Sequence, residues 1–92
     1  MIIENIYSKE FSRINKIQKH KIINYNICKT NLGTSQIYGI NISEVKLGNK
    51  KEQTIQNISF SYYKVLNILQ FLYENSIGII SFKDIIEDLL NE

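Results

Sequence analysis

Few side chains in this 92-residue chain have types that do chemistry: there is one histidine and one cysteine. His20 sits in a basic run with Arg13, Lys16, Lys19 and Lys21. A general base needs a partner that positions its ring, and no neighbour in the sequence supplies one. Cys28 has no Cys-x-x-Cys spacing and no second thiol. On the polar side of a strand it reads as a small packed residue, not a nucleophile. One His and one Cys cannot compose a zinc site. Asp84, Glu87 and Asp88 fall at i, i+3 and i+4, on the outward face of a C-terminal helix. Such a trio holds a divalent cation weakly at best, and no Asp-x-Asp-x-Asp-Gly loop accompanies it. No catalytic residue, metal or cofactor is therefore expected. Glu87 and Asp88, with Glu92 and the chain terminus, also crowd the negative end of the helix dipole. A face with that local cost suits a partner carrying basic groups.

Two surfaces remain as candidates for binding. The first joins Asp84, Glu87 and Asp88 with Phe71 and Ile68. Phe71 lies about 180° from the apolar stripe of its helix and Ile68 lies at the margin, at 100° per residue. A large outward aromatic residue is a candidate contact with a larger protein partner, or with a second copy in a homodimer. The second surface is the basic run itself. Arg13, Lys16, Lys19, His20 and Lys21 could contact phosphates in a salt-dependent, sequence-blind manner. Against this alternative, the chain has a single arginine and no recognisable nucleic-acid module.

The elements that must position these residues follow from periodicity. Ile2–Phe11 alternates weakly and predicts a strand, and 12–20 reads as a loop or one helical turn. Lys21–Lys29 sets Ile23, Tyr25 and Ile27 on one face, and Asn24, Asn26 and Cys28 on the other, as in a half-buried antiparallel strand. Residues 30–35 are turn chemistry. Gln36–Leu47 predicts a third strand, and its apolar parity moves from Tyr38, Ile40 and Ile42 to Val45 and Leu47, which predicts a bulge near Ser43–Glu44. A turn at Gly48–Lys51 leads to a short fourth strand, Gln53–Ser59.

Two amphipathic helices follow. Over 61–76, Tyr62, Val65, Leu66, Leu69, Leu72 and Tyr73 form one stripe. Over 81–91, Phe82, Ile85, Ile86, Leu89 and Leu90 form another. Ser61 and Ser81 are the expected N-caps. Ser81 with Asp84 fits a capping box, and Ile80–Ile85 and Phe60–Val65 fit hydrophobic staples. Strands followed by helices predict an α+β domain over 1–92: an antiparallel three- to four-stranded meander within 1–60, backed on one face by the two helices.

Composition is that of a globular protein, 43% hydrophobic and 22% charged. The many Ile, Asn and Lys residues, with no Ala, Pro or Trp, are what AT-rich coding produces. No apolar run reaches membrane-spanning length, and the start lacks the apolar core of a signal peptide. With a single cysteine, a cytoplasmic protein is expected. Charge is uneven. Residues 1–51 carry nine basic and three acidic side chains, net +6, and residues 52–92 carry two and six, net −4.

Tyr38-Gly39-Ile40-Asn41-Ile42, Ile58-Ser59, the spaced Val65, Leu69 and Leu72, Asn75-Ser76 and Asp84–Leu90 resemble a family of uncharacterised small proteins from clostridia and related Firmicutes. The likeness covers about the last 55 residues. It departs where that family has a Pro-His pair between the helices and this chain has Ile79-Ile80-Ser81. The resemblance implies the fold and carries no activity. Small cytosolic proteins of this kind also look like those of phages and mobile elements, many of which block a larger host protein such as a defence nuclease. The expectation is a non-catalytic binding module, in its finer form an anti-defence inhibitor, with nucleic-acid binding as the alternative.

Overall fold

The computed structural model describes residues 1–11 and 20–91. Four strands, β1 (Ile2–Phe11), β2 (Lys21–Leu32), β3 (Ser35–Lys46) and β4 (Asn49–Ser59), form one antiparallel sheet in the order β1-β2-β3-β4. Helices α1 (Tyr62–Glu74) and α2 (Ile79–Leu90) follow. The loop or helical turn expected over 12–20 lies outside the described residues except for His20. No described helix is long and apolar enough to cross a membrane.

The helices cover the sheet face that the alternation marks as apolar. Ile23, Tyr25 and Ile27 of β2 and Ile40 and Ile42 of β3 pack with Val65, Leu69 and Leu72 of α1 and Phe82 and Ile86 of α2. Tyr62, Leu66, Tyr73 and Ile85 flank that core, so the α1 stripe and the first part of the α2 stripe meet the sheet, whereas Leu90, expected in the second stripe, is exposed. The opposite face is bridged across all four strands by side-chain amides. Asn5 Nδ2 donates to Asn26 Oδ1 at 2.7 Å, Asn26 Nδ2 to Asn41 Oδ1 at 2.8 Å, and Asn41 Nδ2 to Thr54 Oγ1 at 2.8 Å. Asn26 and Asn41 are buried, and these bonds meet the cost of burying an amide.

The hairpins are tighter than expected. Only Gly33-Thr34 separates β2 from β3, and only Leu47-Gly48 separates β3 from β4. Gly33 takes φ 65°, which glycine adopts without a Cβ clash. In the second turn both central residues have positive φ, 52° at Leu47 and 78° at Gly48. That backbone matches the twist of the flanking strands and favours Asn-Gly. Leucine there is strained by roughly 1 kcal/mol.

The bulge expected near Ser43–Glu44 is absent: β3 pairs without interruption from Ile40 to Lys46 on both sides. Apolar parity changes because Glu44 occupies a helix-facing position and Val45 the open face. The irregularities lie elsewhere. In β1 the register passes from Asn5↔Asn26 to Tyr7↔Tyr25, so Ile6 is an extra residue. That bulge turns Tyr7, Lys9 and Phe11 toward the helices, because residues paired across strands share a face. In β4 the register passes from Ile40↔Ile55 to Tyr38↔Ser59, so Gln56–Ile58 oppose Gly39. Asn57 in this bulge has φ 59°. The bulged backbone presses on β3. A Cβ on Gly39 would strike the Ile55 carbonyl and lie 2.8 Å from Gln56 Cα and 2.9 Å from Cys28 Sγ.

Two stability outcomes follow from these positions, and both are measured by urea denaturation. Gly39→Ala should cost about 2–3 kcal/mol, since backbone must move. Leu47→Asn should gain roughly 0.5–1 kcal/mol and raise Tm by several degrees, by relieving the turn.

Candidate functional site

Neither helix carries an acidic residue in its first turn or a basic residue in its last. The dipoles are instead met from the sheet. Lys9 Nζ donates to the Tyr73 carbonyl at 2.6 Å and to Ser76 Oγ at 2.9 Å, at the C-terminal end of α1. It also lies 4.7 Å from the centroid of the Tyr73 ring. Glu44 Oε2 accepts from Ile79 N at 3.1 Å, at the start of α2. Its other oxygen is 3.3 Å from Lys21 Nζ. Between them the Tyr25 hydroxyl donates to the Ile77 carbonyl at 2.9 Å. Three strands therefore hold the inter-helix turn, and through it the angle at which both helices present their outer faces.

This arrangement corrects the expected start of α2. The helix begins at Ile79 with Gly78 as N-cap and no side-chain cap bond. Ser81 is already inside the helix, so no Ser81–Asp84 capping box forms. Ile80 is exposed, so no Ile80–Ile85 staple forms either. A carboxylate 35 residues away replaces the local cap. Ser61 does cap α1, accepting from Lys64 N at 3.3 Å, although Phe60 stays exposed and does not join the core as the expected staple. At the other end Ser76 N bonds the Tyr73 carbonyl and Ile77 N the Leu72 carbonyl, with Ser76 at φ 52°. This is a Schellman motif, with serine where glycine is usual.

The first predicted surface lies on the outer side of the helix layer. Asp84, Glu87 and Asp88 are exposed on α2, Phe71 is 43% exposed on α1, and Ile68 is half-buried against the core. Ile68 is thus more a packing residue than a contact. The sequence reading missed Tyr63, which is more exposed than Phe71 and lies about 80° from it around α1; the helical angle alone could have found it. Among the described residues, no cluster of three His, Cys, Asp or Glu side chains has metal-binding geometry.

The basic run looks different from its sequence. Arg13, Lys16 and Lys19 lie outside the described residues. Lys21 is committed to Glu44 and lies 5.3 Å from the centroid of the Phe11 ring. His20 does have a carboxylate partner, contrary to expectation: Glu10 Oε1 is 2.6 Å from its Nε2. Glu10 and His20 lie ten residues apart, at the facing ends of β1 and β2, so strand pairing joins them. Both are exposed. Cys28 is buried on the open face of the sheet, and burial raises its thiol pKa. A thiol kept neutral in this way is a poor nucleophile.

Tyr25 is the buried titratable group of the turn. Burial, then the charge of Glu44 and the neighbouring Tyr73, push its phenol from 10.0 up to about 12. In the unfolded chain the phenol ionises first, so stability is complete below pH 10 and falls as pH rises toward 12. The unfolding free energy read from urea curves should drop across that window by on the order of 2 kcal/mol. Tyr25→Phe should cost about 1 kcal/mol at neutral pH through the lost hydrogen bond and should flatten most of the alkaline fall.

Residues 4–92 match the model of a family of unknown function, DUF6514. The match reaches back through β1 and β2, well beyond the stretch from Tyr38 on which the resemblance rested. No curated protein and no solved structure matches the chain.

Proposed function

The chain belongs to the DUF6514 family of unknown function, and we propose that it is a non-catalytic module that binds a larger protein through the outer face of its helix layer. The observation that carries this reading is the chemistry of that face. Phe71 and Tyr63 stand exposed on α1, while α2 exposes Asp84, Glu87 and Asp88. Exposed aromatic side chains are common anchors of a protein contact, and a polar rim around such anchors is usual. The clamp of Lys9, Tyr25 and Glu44 supports the reading too, because a face held in place loses little entropy on binding.

In its finer form the proposal is a cytoplasmic inhibitor that occludes a host protein such as a defence nuclease, carried by a phage or mobile element of clostridia or related Firmicutes. That part rests on the resemblance.

Affinity purification of the tagged chain from host lysate, with and without nuclease, tests the core reading. A stoichiometric protein partner should survive nuclease, and should be lost with Phe71→Glu or with Asp84, Glu87 and Asp88 changed to Asn, Gln and Asn. The far-ultraviolet spectrum of these surface variants should be unchanged. Co-purification that vanishes with nuclease would instead favour binding through the basic run. A Phe71→Glu variant that converts a dimer to a monomer in light scattering would make this face a self-association surface.

A further inference from the structure

The sheet outruns its helical cover. β3 has 12 residues and β4 has 11, so they span about 36–40 Å. The 12 residues of α2 span about 18 Å. Since α2 starts level with Glu44, the strand ends beyond it, toward the Leu47-Gly48 turn, have no helix above them. A groove of about 410 Å³ opens there. Leu47, Ile79 and Ile80 supply its apolar surface, and Lys21, Lys46 and Lys51 its cationic walls. Glu44 also lines it, but both of its oxygens are already engaged by Lys21 and Ile79.

Two side chains here contribute nothing to the core, and one of them, Leu47, costs stability. Leu47 is held in the left-handed region and is 68% exposed. Ile80 is 95% exposed in the first turn of α2, off the stripe that faces the sheet. Strain of this kind concentrates at contact sites. Lys21 is neutralised by Glu44, so the Lys46 and Lys51 ammonium groups beside two projecting apolar side chains call for a ligand that is anionic and apolar together. A nucleic-acid backbone or free phosphate would meet the lysines and leave Leu47 and Ile80 in water.

We propose that this groove docks an acidic segment of a partner protein that carries apolar anchor residues. Its carboxylates pair with Lys46 and Lys51, and its apolar side chains cover Leu47, Ile79 and Ile80. The site is separate from the Phe71 face and does not depend on it. With an acidic outer face on the helices and a cationic groove at the sheet end, one module presents two chemically opposite contacts.

The probe is a fluorescein-labelled amphipathic Glu/Leu peptide, with a Lys/Leu peptide as its control. Fluorescence anisotropy should show binding of the acidic peptide alone, weakening as salt is raised. Ile80→Asp and the pair Lys46→Glu/Lys51→Glu should each weaken it about tenfold or more. Leu47→Asn should weaken binding several-fold while melting at a higher temperature than the parent, which separates lost contact from lost fold. Amide shifts on titration of ¹⁵N-labelled protein should centre on Lys46, Leu47, Lys51, Ile79 and Ile80. No binding at millimolar peptide, equal binding of the Lys/Leu peptide, or unchanged affinity in these variants would overturn the proposal. So would shifts centred on Phe71 and Asp84, or a doubling of mass on dilution-series sedimentation that Ile80→Asp abolishes, which would make a second copy the occupant.

Discussion

The structure depends on how two helix ends of opposite polarity are held at one turn. The C-terminal end of α1 is negative and the N-terminal end of α2 positive, and neither helix has complementary charge of its own there. The sheet supplies both ions from a single row: Lys9 pairs with Ile23, and Ile23 with Glu44. Each interaction is worth roughly 0.3–1 kcal/mol when exposed and up to about 2 kcal/mol when partly buried. Tyr25, one pair along, bonds the turn between them. This clamp works only because Ile6 is bulged. Without the extra residue Lys9 and Tyr7 would face away, and the 4.6 Å stack of Tyr7 on Tyr73 would be lost as well.

A second constraint is geometric. A strand residue advances about 3.3 Å and a helix residue 1.5 Å. Helices of 13 and 12 residues therefore cannot roof strands of 10 to 12. The clamp fixes which part is roofed, because it fixes where α2 begins. Leu47 and the lysines around it are exposed as a consequence of that length mismatch, and their availability to a ligand follows from the same fact.

The open face shows how a composition with a coding explanation acquires a structural use. Asparagine is abundant in AT-rich coding, yet Asn5, Asn26 and Asn41 align across three strands and terminate on Thr54. Asn26 and Asn41 each both donate and accept, so the row continues from Asn5 to Thr54. Among the described residues no buried side-chain nitrogen or oxygen lacks a partner. The closeness of β3 and β4 at Gly39 belongs to the same economy: one bulge, one glycine and a buried Cys28 pack where no larger side chain fits.

Much of the fold was legible from periodicity. Alternation in β2 and the first half of β3, and the 3.6-residue stripes of α1 and α2, identified the core correctly, because burial of one face leaves its period in the chain. The order of strands and then helices implied the layer arrangement. The outward placement of Phe71, Asp84, Glu87 and Asp88 was legible for the same reason. What remained hidden was long-range. Ser81 looked like a cap because capping is read from neighbours, whereas Glu44 reaches Ile79 only after the sheet has formed. His20 lacked a partner in sequence and gained Glu10 by strand pairing. Lys21 seemed part of a free basic run and is bound to Glu44. The bulges went unseen at Ile6 and Asn57 because strand register belongs to a pair of strands and not to either alone. The sequence by itself determined which faces are apolar and which segments are strands and helices, since those follow from local spacing. Only the tertiary structure decided which charges are spent inside the fold and which remain for a partner, since that depends on groups brought together from distant parts of the chain.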